Sequence, residues 1–208
     1  MNSSTGNSPD IDPVNNETLA GSIRFAFRKL MQNVNGMLPA KVISYDRTTN
    51  RVQVQLMIAV VTTQGAQISR PQLASIPVLL LGGGGYFLSF PLKEGDLGWV
   101  VANDRDISLF LQNYSETAPN TGRIKSFSDG VFIPSVMTDY TIGGDDADNA
   151  VLQSTDGTVK ITLGTGKITI SAPLVEIDGY NPSLIIPPGG TLAVIGDITA
   201  TGDITPFV

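Results

Sequence analysis

The chain contains no cysteine and no histidine. These two absences together remove thiol nucleophiles, disulfides, imidazole acid–base catalysis and the commonest zinc, iron and copper ligands. Charged residues are scarce, 15% of 208, and the net charge of -6 leaves no basic footprint to hold nucleic acid or an anionic bilayer. Long hydrophobic runs are missing as well. One apolar run, Ile76 to Leu81, is broken by Pro77 and followed by four glycines, far short of the ~20 residues that span a bilayer as a helix. Residues 1–16 are polar and carry Asp10 and Asp12 where a signal peptide would need a basic start and an apolar stretch, so export by the general pathway is not expected. Catalysis would have to rest on paired carboxylates, on Ser with Lys or on a base supplied by the substrate.

What is plentiful is glycine (22) and proline (13), a composition of strands and tight turns, and the chain reads as mainly β. Charge is divided unevenly. Residues 1–104 hold 8 Lys and Arg against 7 Asp and Glu, whereas residues 105–208 hold 5 against 12. From Thr141 onward two lysines stand against eight acids, and the sequence texture changes at the same place. Three segments follow: a leader and amphipathic helix over 1–36, a globular body over 37–140 and a repetitive tail over 141–208.

The leader, residues 1–15, has little to bury and is expected to order only against a partner. Beyond it Leu19, Ile23, Ala26, Phe27, Leu30, Met31 and Val34 recur at spacings of three and four, while Arg24, Arg28 and Lys29 fall elsewhere. That is one apolar stripe on a helix, with Asn15 or Asn16 as N-cap and Asn35-Gly36 at its end. The stripe either packs on the β body or docks a partner or sister chain, and Leu19, Ile23, Phe27 and Leu30 are its candidate contact residues.

In the body, Val52, Val54, Leu56 and Ile58 alternate with Arg51, Gln53, Gln55 and Met57, the two-residue period of a half-buried strand. With Pro39–Tyr45 before the turn at 46–50, this forms a hairpin. Ile76–Leu81, Tyr86–Phe90, Leu97–Ala102 and Gly130–Pro134 supply further strands, and a short helix is expected through Asp106 to Gln112. A five-stranded Greek-key barrel of the OB type closes such a set.

Several stretches imitate functional motifs. Gly82–Gly85 resembles a phosphate loop, but a strand follows it and no Gly-Lys-Ser/Thr does. In Gly164-Thr-Gly-Lys167, Ile161 and Ile168 occupy positions where a P-loop needs Gly and Ser or Thr. Glu94 and Asp96 flank Gly95 in a turn, and Asp145, Asp146 and Asp148 read as a solvated linker without the glycine and distal glutamate of an EF-hand. No catalytic, cofactor or metal residue is assigned, and no nucleic-acid partner is expected.

The tail is built of short strands separated by glycine. Val159, Ile161 and Leu163 lie on one face of 158–163, Ile168 and Ile170 repeat the scheme, and Leu174–Asp178, Leu184–Ile186 and Leu192–Ile195 follow. Gly196-Asp-Ile-Thr199 then recurs as Gly202-Asp-Ile-Thr205. Units with so few inward side chains close no core alone, so they stack as a solenoid or wind with other chains. Three copies around one axis pool their apolar faces and leave no long free edge, which favours a homotrimeric, triple-stranded intertwined β-helix.

Phe90-Pro-Leu-Lys-Glu-Gly-Asp-Leu-Gly98, Asn103-Asp-Arg-Asp-Ile107 and Arg123–Pro134, in that order, resemble the N-terminal domain of the central membrane-piercing spike of contractile-tailed bacteriophages, of the Mu-like baseplate-spike kind. The resemblance covers most of residues 19–140 and extends to the tail in texture only. It implies a non-enzymatic virion protein: a trimeric OB collar on the baseplate hub and a β-helical needle driven through the host outer membrane when the sheath contracts. Members of that family usually hold an axial iron with a His-x-His pair, a site that a chain without histidine cannot form. The apolar residues Ile204, Pro206, Phe207 and Val208 instead suggest docking of a separate tip-capping protein. An OB-fold adaptor or glycan-binding module with a β-solenoid tail is the alternative. A hexapeptide β-helix acyltransferase would need a catalytic base, commonly histidine, and more coils.

Overall fold

A computed structural model of the chain describes residues 18–32, 34–62 and 65–176. Two compact units meet at the Tyr140–Thr141 bond. The expected tip residues Ile204, Pro206, Phe207 and Val208, and the repeats beyond 176, lie outside the described residues.

The first unit begins with helix α1 (Leu19–Met31). Its N-cap is Thr18 rather than Asn15 or Asn16: the backbone there is extended and the hydroxyl accepts from the Gly21 N–H at 3.0 Å. The cap thus sits immediately before the first stripe residue, where an orphan N–H can reach it. Strands β1 (Met37–Asp46), β2 (Arg51–Leu56), β3 (Val60–Val61), β4 (Gln67–Ile68), β5 (Leu73–Pro77), β6 (Leu81–Gly83), β7 (Tyr86–Leu88) and β8 (Leu97–Arg105) follow. Helical turn α2 (Phe110–Asn113) then leads to β9 (Ile124–Pro134). Five strands form one antiparallel sheet in the order β5-β2-β1-β8-β9. Its two edges approach each other: Val78 and Phe132 form a parallel bridge, and the Leu79 N–H donates to the Phe132 carbonyl at 2.8 Å. The sheet is therefore a nearly closed barrel.

Alternation in β2 behaves as its period dictates, with Val52, Val54 and Leu56 buried. Ile58 has left the strand and is exposed. Ala40, Val42, Ile76, Val100 and Phe132 complete the barrel interior. Gly98 of β8 lies under Phe132, and a Cβ there would fall 2.4 Å from the ring. The helix expected at Asp106–Gln112 is only the turn Phe110–Asn113, because the Asp106 carboxylate accepts from the Ser108 N–H at 2.9 Å and holds residues 106–108 in a side-chain-capped turn.

The second unit holds a 3-10 turn (Gly144–Asp146) and an antiparallel meander of β10 (Ala150–Gln153), β11 (Lys160–Gly164) and β12 (Lys167–Ser171). Registers Leu152↔Ile161↔Ile170 and Leu163↔Ile168 gather the apolar side chains on one face. That face is the uncovered one. Ile161 and Leu163 are 39% and 52% exposed, whereas Thr162, on the other face, is 5% exposed. Within one chain the expected inward face of Val159, Ile161 and Leu163 thus points outward. The cause is the 3-10 turn, whose Asp146 pairs with Lys160 and accepts from the Thr162 hydroxyl at 3.3 Å.

Candidate functional site

The residues that stand ready for contact are apolar and exposed. On α1, Leu19, Ile23, Phe27 and Leu30 are all more than half exposed, and Gly21 is the helix's only buried residue. Packing of this stripe on the barrel, one of the two readings of its spacing, is not what the single chain does. Positive charge gathers in the last turn at Arg28 and Lys29, and the Lys29 ammonium lies 5.5 Å from the Phe25 ring centroid. The helix joins the barrel through Asn35-Gly36. The Asn35 backbone and side-chain N–H groups both donate to the Lys125 carbonyl, at 3.2 and 2.9 Å, and the Gly36 carbonyl accepts from the Ala102 N–H at 2.9 Å. The helix itself ends at Met31 with Gln32 as its C-cap, so the dipeptide read as its stop is instead a tether to β8 and β9.

A second constellation was not foreseen from spacing. Asp106 and Asp129 are buried, and Arg123 reaches both, at 3.1 and 2.8 Å, with its Nε donating to Asp129 at 2.9 Å. Ser108 above all, with the Thr121 hydroxyl and the Arg123 charge, holds the Asp106 carboxyl down to about 2. Arg123 is in turn held protonated above its ordinary range, chiefly by its hydrogen bonds to Asp129. This clamp fastens the 106–123 connection to the start of β9. The charges were visible in the sequence, but partners 17 and 6 residues apart give no periodic signal.

A cavity of about 320 Å³ opens beside the clamp, lined among others by Arg51, Ser108, Gln112 and Arg123. Its guanidinium groups are committed: Arg51 Nη1 donates to the Ser75 carbonyl at 2.8 Å and Arg123 to the two carboxylates. It offers no nucleophile paired with a base.

The motif-like stretches take structural roles. Gly82–Gly85 forms the β6–β7 hairpin, with Gly84 and Gly85 at φ of +60° and +88°. Gly164-Thr-Gly-Lys167 turns β11 into β12 with Gly166 at +78°. In the Glu94-Gly95-Asp96 turn the Asp96 carboxylate accepts from the Lys93 N–H at 2.7 Å. Asp146 leaves the Asp145–Asp148 cluster for Lys160, whose ammonium, with help from Thr162 and Asn149, keeps its carboxyl below the usual carboxylate range. Among the described residues no group of three or more carboxylates is placed to hold a metal ion, and no helix is long and apolar enough to cross a membrane.

No curated protein matches this chain. Residues 38–135 match a family described as the phage protein Gp138 N-terminal domain, which supports a phage structural protein and a virion component.

Proposed function

We propose that the chain is the central spike of a contractile phage tail baseplate. In this reading it is a non-enzymatic homotrimer that pierces the host outer membrane when the sheath contracts. The observation that carries it is the outward apolar face of the β10–β12 meander. Leu152, Ile161, Leu163, Ile168 and Ile170 stand on one side of a three-stranded sheet with nothing over them in the chain's described residues. Such a face is stable in water only when covered, and winding with sister chains covers it.

The match over residues 38–135 and the barrel's connectivity support the same reading. Taken around the barrel, the strand order is β1-β2-β5-β9-β8, with antiparallel neighbours and a parallel contact where β5 meets β9. That connectivity supports an OB-type Greek-key collar. The exposed stripe of Leu19, Ile23, Phe27 and Leu30 then serves as the hub-facing contact, tethered at Asn35-Gly36. The work of piercing comes from the sheath; the chain transmits axial load, so no residue need perform chemistry. Interchain strand pairing of this kind closes over long sequence distances and unfolds slowly.

Light scattering tests the reading. The full chain should run near 66 kDa, about three times the 22.0 kDa of one chain, and lose denaturant resistance when residues 141–208 are removed. A 22 kDa particle with a stable tail would remove the spike and leave a single-chain OB adaptor or glycan-binding module.

A further inference from the structure

The barrel carries two small hairpins that the spike reading does not use. β3–β4 exposes Val60, Val61 and Ile68, and β6–β7 exposes Leu81, Tyr86 and Phe87, the last three at 64%, 84% and 66%. No described residue of either ribbon is buried on either face. Two-stranded ribbons with no covered face are at best marginally stable in water. Both are also uncharged over long stretches: residues 52–69 and 71–92 contain no Asp, Glu, Lys or Arg. Arg70, between them, is turned back on the body, with its Nε donating to the Ile58 carbonyl at 3.2 Å and its guanidinium 6.0 Å from the Phe127 ring centroid. Apolar, charge-depleted and aromatic surfaces are what the centre of a protein interface presents.

Their placement is specific. The β3–β4 ribbon leaves the barrel at the Leu56 end of β2, where the Met57 N–H donates to the Pro39 carbonyl at 2.9 Å. The β6–β7 ribbon leaves at the Arg51 end, where Arg51 pairs with Pro77 and the Val78 N–H donates to the Asn50 carbonyl at 3.1 Å. At ~3.3 Å per residue the two exits are about 17 Å apart along the strand. One body therefore presents two different uncharged patches at opposite ends of one strand. A cyclic assembly needs this arrangement, because each heterologous contact joins one patch to a different patch on the next copy.

We infer that the β3–β4 hairpin of one copy docks on the β6–β7 hairpin of the next, head to tail, and that this contact closes the collar into a ring. Phe87 is the central anchor. It lies across from Gly82, where a Cβ would fall 2.7 Å from that of Phe87, so the opposite strand carries no side chain that blocks its approach. The inference rests on the trimeric reading above and adds the surfaces that make it.

Cysteine pairing tests it, because the native chain has no cysteine to confuse the result. Val61→Cys with Phe87→Cys, and Ile68→Cys with Tyr86→Cys, are placed pairwise in the full-length protein and oxidised. A bond within one chain leaves the mass on a non-reducing gel unchanged, so covalent dimers and trimers report contacts between copies alone. The expected result is covalent dimers and closed covalent trimers from at least one double variant on a non-reducing gel, and none from any single variant. A single variant that links to itself would show a symmetric contact and overturn the inference. Val61→Lys and Phe87→Asp give a second measurement. Each alone should lower the denaturant midpoint of the assembly, and both in one chain should restore it. Midpoints equal to the wild type, in a protein that still runs near 66 kDa, would overturn the hairpin contact and leave the trimer standing. A monomeric wild type would overturn both.

Discussion

Replacing Gly98 by Ala is the most direct probe of the barrel. Gly98 lies in β8, opposite Ala40 on one side and Pro134 on the other. An added Cβ would meet Phe132 Cζ at 2.4 Å, the Ile133 carbonyl oxygen at 2.5 Å and Phe132 Cε2 at 2.7 Å. Non-bonded carbons rest about 3.5–4.0 Å apart, so the neighbours must retreat by about 1 Å or more. Neither has room: Phe132 is fully buried and Ile133 belongs to the β8–β9 ladder. Overpacking of this kind costs about 1–3 kcal/mol. The smaller conformational freedom of alanine in the unfolded chain returns about 0.4–1 kcal/mol, leaving about 1.3 kcal/mol of destabilisation. With a urea m-value of about 2 kcal/mol/M, the midpoint should fall by about 0.6 M. Trp99, the only tryptophan and the next residue in β8, reports the transition by fluorescence, at one fixed protein concentration. Phe132→Leu removes the ring atoms that clash, so the double variant should be more stable than the sum of the two single losses predicts, by about 0.5 kcal/mol or more. A midpoint for Gly98→Ala within about 0.2 M of the wild type, or strict additivity in the double variant, would refute the packing argument.

Phe27→Ser with Leu30→Ser should change stability by less than about 0.5 kcal/mol, because both side chains are exposed, yet abolish incorporation into assembled baseplates; a loss of stability with normal incorporation would show an internal role instead. Because no His or Cys is present, no side chain has its ordinary titration between about pH 5 and 8, and stability should be flat there. Asp106 has its folded value pulled from the ordinary 3.8 down to about 2, so its contribution is complete above about pH 4 and lost as pH falls from about 4 to 2. Acid titration of Asp106→Asn should therefore be shallower than that of the wild type in this window. In the second unit, Asp146→Leu should loosen the meander to proteolysis, while Asp146→Leu with Lys160→Met should regain most of the resistance, since an apolar pair of similar size replaces a buried ion pair without leaving either charge alone.

The parts of the fold that were legible in the sequence are those governed by local periods. Val52, Val54 and Leu56 alternate and are buried, the stripe from Leu19 to Leu30 makes a helix, and glycines mark the β6–β7 and β11–β12 turns. Where a period leaves two answers, the outcome was settled elsewhere in the chain. Alternation in β11 defines two faces but not which is covered; Asp146, fourteen residues before Lys160, decides that it is the polar one. The Asp106–Arg123–Asp129 clamp has no period at all and depends on the barrel bringing β9 back to the end of β8. Two of the stretches that carried the family resemblance, 103–107 and 123–134, hold the three clamp residues, and Gly98 closes the third. The β3–β4 ribbon was overlooked because two-residue strands leave almost no pattern to read.

The outward apolar face of the meander also bears on how the chain reaches its final state. A sheet that buries Thr162 and leaves Ile161, Ile168 and Ile170 in water gains little by folding alone, so most of its stabilisation waits for whatever covers it. If sister chains cover it, as proposed, protein concentration enters the rate law. Recovery of denaturant resistance after dilution should accelerate as more chain is present, and a dilute sample should stall with a formed barrel and an unfinished tail.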